Sequence, residues 1–284
     1  MINRKSNVQI QGSRELKILM DLTWNDEFQD KPVIIFCHGY KGFKDWGPWN
    51  IVAEYFANLG FVFLKFNFSF NGGTVENPID FPDLDAFSKN NYSTELNDLE
   101  KVLNWCDDSR AQGNSPIESS EYYLLGHSRG GAMTILKTAE DSRVKKLVTW
   151  AAVADLGIRF SNQQQLEKWK SEGVIYVENS RTRQSMPHLY QFYEDYCLNE
   201  KRLNPLLASE SISVPWLIVH AEDDESVPVE QAIQLSAHHH DAELLLLEIG
   251  GHTFDTFHPM NTSTLPNTLK QVCASTATFL FGEI

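Results

Sequence analysis

Cysteine is scarce in this 284-residue chain, with four in all: Cys37, Cys106, Cys197 and Cys273. They are scattered, with no C-x-x-C pair and no spacing that suggests zinc ligation. Free thiols in a reducing compartment are the simple account. Long apolar runs are missing as well, and none approaches the ~20 residues of a membrane-spanning helix. The first residues, Met1-Ile2-Asn3-Arg4-Lys5-Ser6-Asn7, put no apolar core behind their charges, so no secretory signal is expected. There is no basic tract able to track phosphates. The formal net charge of −14 disfavours both nucleic acid and anionic membranes. Internal repeats and low-complexity segments are also lacking. The expectation is a soluble, cytoplasmic protein, with monomer and homodimer both open.

Hydrophobic residues make up 42% of the chain, enough to bury a sizeable core. Residues 8–11 and 16–22 read as two antiparallel edge strands. Residues 32–37, 61–68, 122–125, 144–153, 216–220 and 242–249 read as further strands. Helices are expected over 51–59, from a cap at Ser93 through Cys106, and over 129–139, 229–238 and 269–281. Strand and helix alternate along most of the chain. The fold class is therefore α/β, a mostly parallel central sheet with helices on both faces. Residues 155–214 break the alternation with a Gln- and Lys-rich helix, an expected β-hairpin and an aromatic run of Tyr190, Phe192, Tyr193 and Tyr196. Residues 1–154 and 215–284 are accordingly read as the core, and 155–214 as a cap or lid.

Between the strand at 122–125 and the helix at 129–139 lies Gly126-His127-Ser128-Arg129-Gly130, a G-x-S-x-G pentapeptide. A strand that turns into a helix within a residue or two cramps the backbone at the serine. Side chains two positions away would collide, and glycine removes the collision. The turn lifts the Ser128 hydroxyl above the carboxyl end of the sheet. It also brings the Arg129 N–H to the helix start, where it can face an oxyanion.

A serine hydroxyl needs a base, and the base needs an anchoring carboxylate. The strand 216–220 runs into Glu222-Asp223-Asp224-Glu225, four acids among which chemistry alone does not choose. Gly250-Gly251-His252 follows the last strand, and the paired glycines let the backbone turn the imidazole back over the sheet. His38-Gly39-Tyr40 follows another buried strand and can supply a second amide to an anion site. The remaining histidines read more plainly: His127 as packing at the elbow, His238 to His240 as a helix end with a metal cluster as the alternative, and His188 as a surface residue of the cap with contact to a substrate as the alternative.

With these pieces in hand, the sequence resembles an α/β-hydrolase from Pro32 to the last helix. The elbow matches at Gly126 to Gly130, which makes Ser128 the nucleophile. The acid loop, commonly H-G-x-x-D-x-x-V-P, matches His220 to Pro228 and selects Asp224, with Ala221 in place of the usual glycine. The histidine loop matches at Gly251-His252-Thr253-Phe254, and the oxyanion element at His38-Gly39-Tyr40, which implies the Tyr40 and Arg129 amides. Within the fold family the chain is most similar to the dienelactone hydrolase-like and cinnamoyl (feruloyl) esterase groups. Dienelactone hydrolases proper carry cysteine where Ser128 stands, and dehalogenases carry aspartate. Prolyl-oligopeptidase relatives share the motifs but usually bring a propeller or a long amino-terminal domain, which is not expected here.

The resemblance implies a serine esterase acting on a small-molecule ester, with no metal and no organic cofactor. The aromatic side chains of the cap fit either an aromatic or apolar acyl group or the simple packing of a small cap. A peptidase or amidase, and a non-catalytic ligand sensor, are the alternatives.

Overall fold

Why the sheet is buried on both faces is visible in Val33-Ile34-Ile35-Phe36-Cys37, where every side chain is apolar and none is exposed. Alternate residues of such a strand point to opposite faces. Val33, Ile35 and Cys37 join one core cluster, while Ile34 and Phe36 join another. The computed structural model describes residues 1–113 and 115–282.

The chain opens with strands β1 (Ile2–Gln11) and β2 (Lys17–Asn25). It continues through β3 (Val33–Cys37), helix α1 (Trp49–Asn58), β4 (Val62–Asn67), the short α2 (Leu84–Ser88) and the long α3 (Tyr92–Gln112). Next come β5 (Tyr122–His127), α4 (Arg129–Glu140) and β6 (Val144–Trp150). The insertion holds α5 (Gln163–Glu172), β7 (Val174–Glu178), β8 (Ser185–Leu189), α6 (Gln191–Asn199) and α7 (Pro205–Ser209). The chain closes with β9 (Trp216–Ala221), α8 (Glu230–His238), β10 (Glu243–Leu247) and α9 (Asn267–Phe281).

Among the described residues eight strands form one sheet in the order β1-β2-β4-β3-β5-β6-β9-β10, and β7 and β8 form a separate antiparallel hairpin. From β4 to β10 neighbouring strands are parallel, while β1–β2 and β2–β4 are antiparallel. Only β1 is an edge of the opening pair; β2 lies inside the sheet, paired on both sides. Helices α3 and α4 pack on one face with Leu96, Leu99, Val102, Met133 and Leu136. Helices α1 and α9 pack on the other with Val52, Phe56, Leu269, Val272 and Phe279. Among the described residues no helix is long and apolar enough to cross a membrane.

Helix α3 starts two residues earlier than Ser93 predicts. Its cap is Asn91, whose side chain accepts from the Thr94 N–H, and Ser93 lies within the first turn. In the insertion, the aromatic rings pack mostly on one another. Phe160 lies 4.9–6.3 Å, centre to centre, from Trp169, Phe192, Tyr193 and Tyr196. Tyr92 of α3 meets Phe192 at 4.7 Å, so the insertion shares the core cluster of the α3–α4 face.

A buried charge network steadies the β2–β4 side. Asp21 Oδ2 accepts from Lys44 Nζ at 2.8 Å and Lys65 Nζ at 2.7 Å, and Asp45 accepts from the same two ammonium groups. Burial alone would raise the Asp21 carboxyl, but Lys65 and Lys44 outweigh it and hold it at about 2. The network ties the segment after β3 to the sheet beneath it.

Candidate active site

Strand β5 ends at His127, and α4 begins at Arg129, so one residue makes the whole turn. That residue, Ser128, sits at φ 57° and ψ −122°, a conformation non-glycine residues rarely adopt. It is held there by Ser128 N–H donating to Trp150 O at 2.9 Å and Val153 N–H donating to Ser128 O at 3.2 Å. A Cβ on Gly130 would overlap the carbonyl oxygens of Cys37 and His38, and one on Gly126 would overlap the Gly130 carbonyl. Glycine at both positions is what lets β5, α4 and the end of β3 approach one another.

The imidazole comes from the loop after β10, where Gly251 takes a positive φ of 56°. His252 Nε2 lies 2.9 Å from Ser128 Oγ, and its Nδ1 lies 2.8 Å from Asp224 Oδ2. Asp224 is fixed in the turn after β9: its Oδ1 accepts from the Ser226 and Val227 amides at 2.8 and 2.9 Å. Burial would raise this carboxyl, but hydrogen bonding to His220 and His252, with the amide of Val227, holds it well below the usual carboxylate range. The three side chains thus form one chain of hydrogen bonds in which Asp224 fixes the Nδ1–H tautomer. Nε2 is left free to accept the hydroxyl proton of Ser128.

The neighbouring acid does something different. Asp223 Oδ1 accepts from both Gly250 N–H and Gly251 N–H, at 2.9 and 2.8 Å. It anchors the turn that presents His252, a task nothing in the run of four acids reveals beforehand. His127 also supports that turn, with Nε2 donating to the His252 carbonyl at 2.8 Å. Burial pushes the His127 imidazole down to about 3, so it is neutral.

Facing Ser128, the Gly42 N–H donates to the Gly39 carbonyl and closes a turn after β3. A Cβ on Gly39 would come 2.9 Å from the Ser128 Cβ, so only glycine allows this approach. Among the described residues neither the Tyr40 amide nor the Arg129 amide has a hydrogen-bond acceptor. Two free N–H groups beside a hydroxyl can take a developing negative oxygen.

The Tyr40 side chain runs up to the insertion, and its OH lies 2.6 Å from His188 Nε2. His188 is therefore no surface residue: it is 2% exposed, and its backbone carbonyl accepts from Trp169 Nε1 at 2.8 Å. Burial beside Arg159, Arg129 and Lys41 pushes this imidazole down to about 2, so it is neutral too. The remaining histidine group, His238 to His240, makes ordinary contacts at the end of α8; His239 Nε2 donates to Ile212 O at 3.0 Å. Among the described residues no three His, Cys, Asp or Glu side chains are grouped to hold a metal ion.

Two cavities meet at Ser128 and His252. The smaller, about 160 Å³, is lined by Trp46, Trp49, His127 and Gly39. The larger, about 440 Å³, is lined by Tyr92, Arg129, Leu156, Ile158 and Arg159. Tyr40 and Lys41 border both. The rings that reach the cavities are thus Trp46, Trp49, Tyr40 and Tyr92, whereas Trp169, Tyr176, Tyr190, Phe192, Tyr193 and Tyr196 line neither.

Residues 50–249 match the prolyl oligopeptidase family. The fold is similar to that of Est1E from Butyrivibrio proteoclasticus, solved with ferulic acid bound. The TM-score is 0.73 at 17% identity, covering 97% of this chain and 98% of that one. It is similar also to a putative hydrolase from Agrobacterium vitis (TM-score 0.70, 18% identity, 97% and 98% covered). DcsB, solved with a substrate analogue, gives a TM-score of 0.73 at 16% identity, with 99% and 100% covered. An uncharacterized 31.7 kDa protein of Escherichia coli is 29% identical over 129 residues, which are 44% of this chain and 38% of that protein.

Proposed function

This chain belongs to the prolyl oligopeptidase family and is a hydrolase of the α/β-hydrolase fold; from that premise we propose that it cleaves carboxylic esters through an acyl-enzyme on Ser128. The observation that carries the reading is the continuous hydrogen-bonded path from Ser128 Oγ through His252 to Asp224, at 2.9 and 2.8 Å. In the first step Ser128 Oγ attacks the ester carbonyl while His252 Nε2 takes its proton. The imidazolium that forms is stabilised by Asp224, whose carboxylate stays ionised. The tetrahedral oxygen is held by the amides of Tyr40 and Arg129, and such a donor is commonly worth ~10²–10³ in rate. His252 then gives its proton to the leaving alcohol. A water activated by the same imidazole releases the acid and restores Ser128.

The ester reading is supported by the likeness to Est1E, solved with ferulic acid bound, and the small cavity at Trp46 and Trp49, about 160 Å³, has room for a compact apolar arm. The same cavity, rather than the rings of the insertion, is where an aromatic or apolar group would sit. A second reading, serine peptidase or amidase, is favoured by the family match itself. A panel of aryl esters, alkyl esters and peptide amides separates the two, and turnover confined to the amides would give the case to the peptidase.

Labelling with an organofluorophosphonate tests the common core of both. The parent chain is expected to react and Ser128→Ala is not. Turnover in that variant should fall by ~10⁴–10⁶ with the fold kept. A parent chain that does not react with the probe would overturn the scheme.

A further inference from the structure

Three cationic side chains surround one ring at the mouth of the larger cavity. Arg129 Cζ lies 4.4 Å from the centre of the Tyr40 ring, Arg159 Cζ 5.0 Å and Lys41 Nζ 5.1 Å. All three border the cavity that opens at Ser128 and His252. Such a concentration is unexpected in a chain of net charge −14.

Their charge is poorly compensated. Glu95 is the nearest carboxylate to Arg129, at 3.7 Å, which is too long for a hydrogen bond. Burial raises the Glu95 carboxyl above its ordinary value, against the opposing pull of Arg129. Arg129 is 6% exposed, yet among the described residues its Nη1 has no hydrogen-bond partner. Asp155, also on the cavity wall, is turned to the Gly157 amide. Burial together with the two guanidinium groups pushes the Lys41 ammonium below its ordinary value. A buried guanidinium with an unfilled donor, repelled by two further cations, is a costly arrangement unless an anion completes it.

We propose that the larger cavity binds a carboxylate, so that the substrate is an ester carrying a second, anionic arm, held by Arg129, Arg159 and Lys41. The planar guanidinium donors suit the two oxygens of a carboxylate. The apolar wall of Leu156, Ile158 and Val153 takes the methylenes between the carboxylate and the reacting carbonyl. The choice of substrate rests on Ser128 as the nucleophile; the anion site itself does not.

Mono-p-nitrophenyl glutarate and p-nitrophenyl pentanoate test it, because they differ only in a carboxylate for a methyl group. The parent chain is expected to prefer the glutarate in kcat/KM by about ten- to a hundredfold, the range of a charge-assisted hydrogen bond. In Arg159→Gln that ratio should fall at least about tenfold, with part of it kept in Arg159→Lys. A preference for the neutral ester, or a ratio that Arg159→Gln does not move, would overturn the proposal. Calorimetry separates this site from the chemistry. Glutarate should bind the Ser128→Ala chain, and glutaramide should not. If neither ester turns over but glutarate binds in an Arg159-dependent way, the hydrolytic reading fails and the anion site stands. If glutarate does not bind, the anion site fails whatever the esters do.

Discussion

The same substitution, aspartate to asparagine, is expected to give opposite results at two adjacent positions. In Asp224→Asn the side-chain oxygen can keep the amides of Ser226 and Val227, now 2.8 and 2.9 Å from Oδ1. The new NH₂ then takes the place of Oδ2, 2.8 Å from His252 Nδ1. Two N–H groups cannot face each other there, so the imidazole must carry its proton on Nε2. That proton points at Ser128 Oγ, 2.9 Å away, and the base can no longer accept. Loss of the productive tautomer costs ~10⁴ in kcat in the serine protease template, and a similar loss is expected here. In Asp223→Asn the side-chain oxygen still accepts from Gly250 and Gly251, so the turn presenting His252 is kept. Its kcat should fall by less than about tenfold, since only the charge on two hydrogen bonds is lost. Asp223→Ala releases the turn, and a shift of the imidazole by about 1 Å is worth ~10². The assay is steady-state hydrolysis of an aryl ester beside thermal melting of each variant. An Asp224→Asn enzyme within tenfold of the parent, or an Asp223→Asn enzyme as damaged as Asp224→Asn, would refute the division of labour.

Three further outcomes are expected. Gly130→Ala should destabilise the fold by about 2–3 kcal/mol, because the new methyl overlaps the Cys37 and His38 carbonyls; an unchanged denaturation midpoint would contradict this. Tyr40→Phe removes the partner of the buried His188 Nε2. It should cost about 1–3 kcal/mol and speed hydrogen exchange in the β7–β8 hairpin, which a purely solvated contact would not. Burial pushes His38, His127 and His188 down to about 4, 3 and 2 from an ordinary 6.5. In acid the unfolded chain therefore binds protons that the folded chain refuses. Their contribution is complete above pH 6.5 and is lost as the pH falls toward the folded values. Urea titrations between pH 7 and 4.5 should lose up to about 1.4 kcal/mol per pH unit for each histidine. A flat profile would mean these rings titrate normally.

Much of the fold can be read along the chain because its strongest signals are local. The apolar runs of β3, β5 and β9 and the glycines flanking Ser128 each carry their reason within a few residues. The structure brings Ser128, Asp224 and His252 together from three separate loops, with the Tyr40 and Arg129 amides beside them. What the sequence hides depends on distant neighbours. That β2 lies inside the sheet follows from its pairing with β4, some forty residues on. Asn91 and Ser93 are both good caps, and only backbone conformation selects Asn91. His188 looks like a surface residue because its partner, Tyr40, is 148 positions away. Arg129 draws notice for its amide alone, because the burial of its side chain is set by Tyr40, Tyr92 and Glu95, all far off along the chain.

The bond between Tyr40 and His188 joins the β7–β8 hairpin to the very residue whose amide would steady the reacting oxygen. Lifting the β7–β8 hairpin would break that latch or drag the Tyr40 backbone with it. The hairpin and the segment facing Ser128 therefore hold their places together, although 148 positions separate the two ends of the bond.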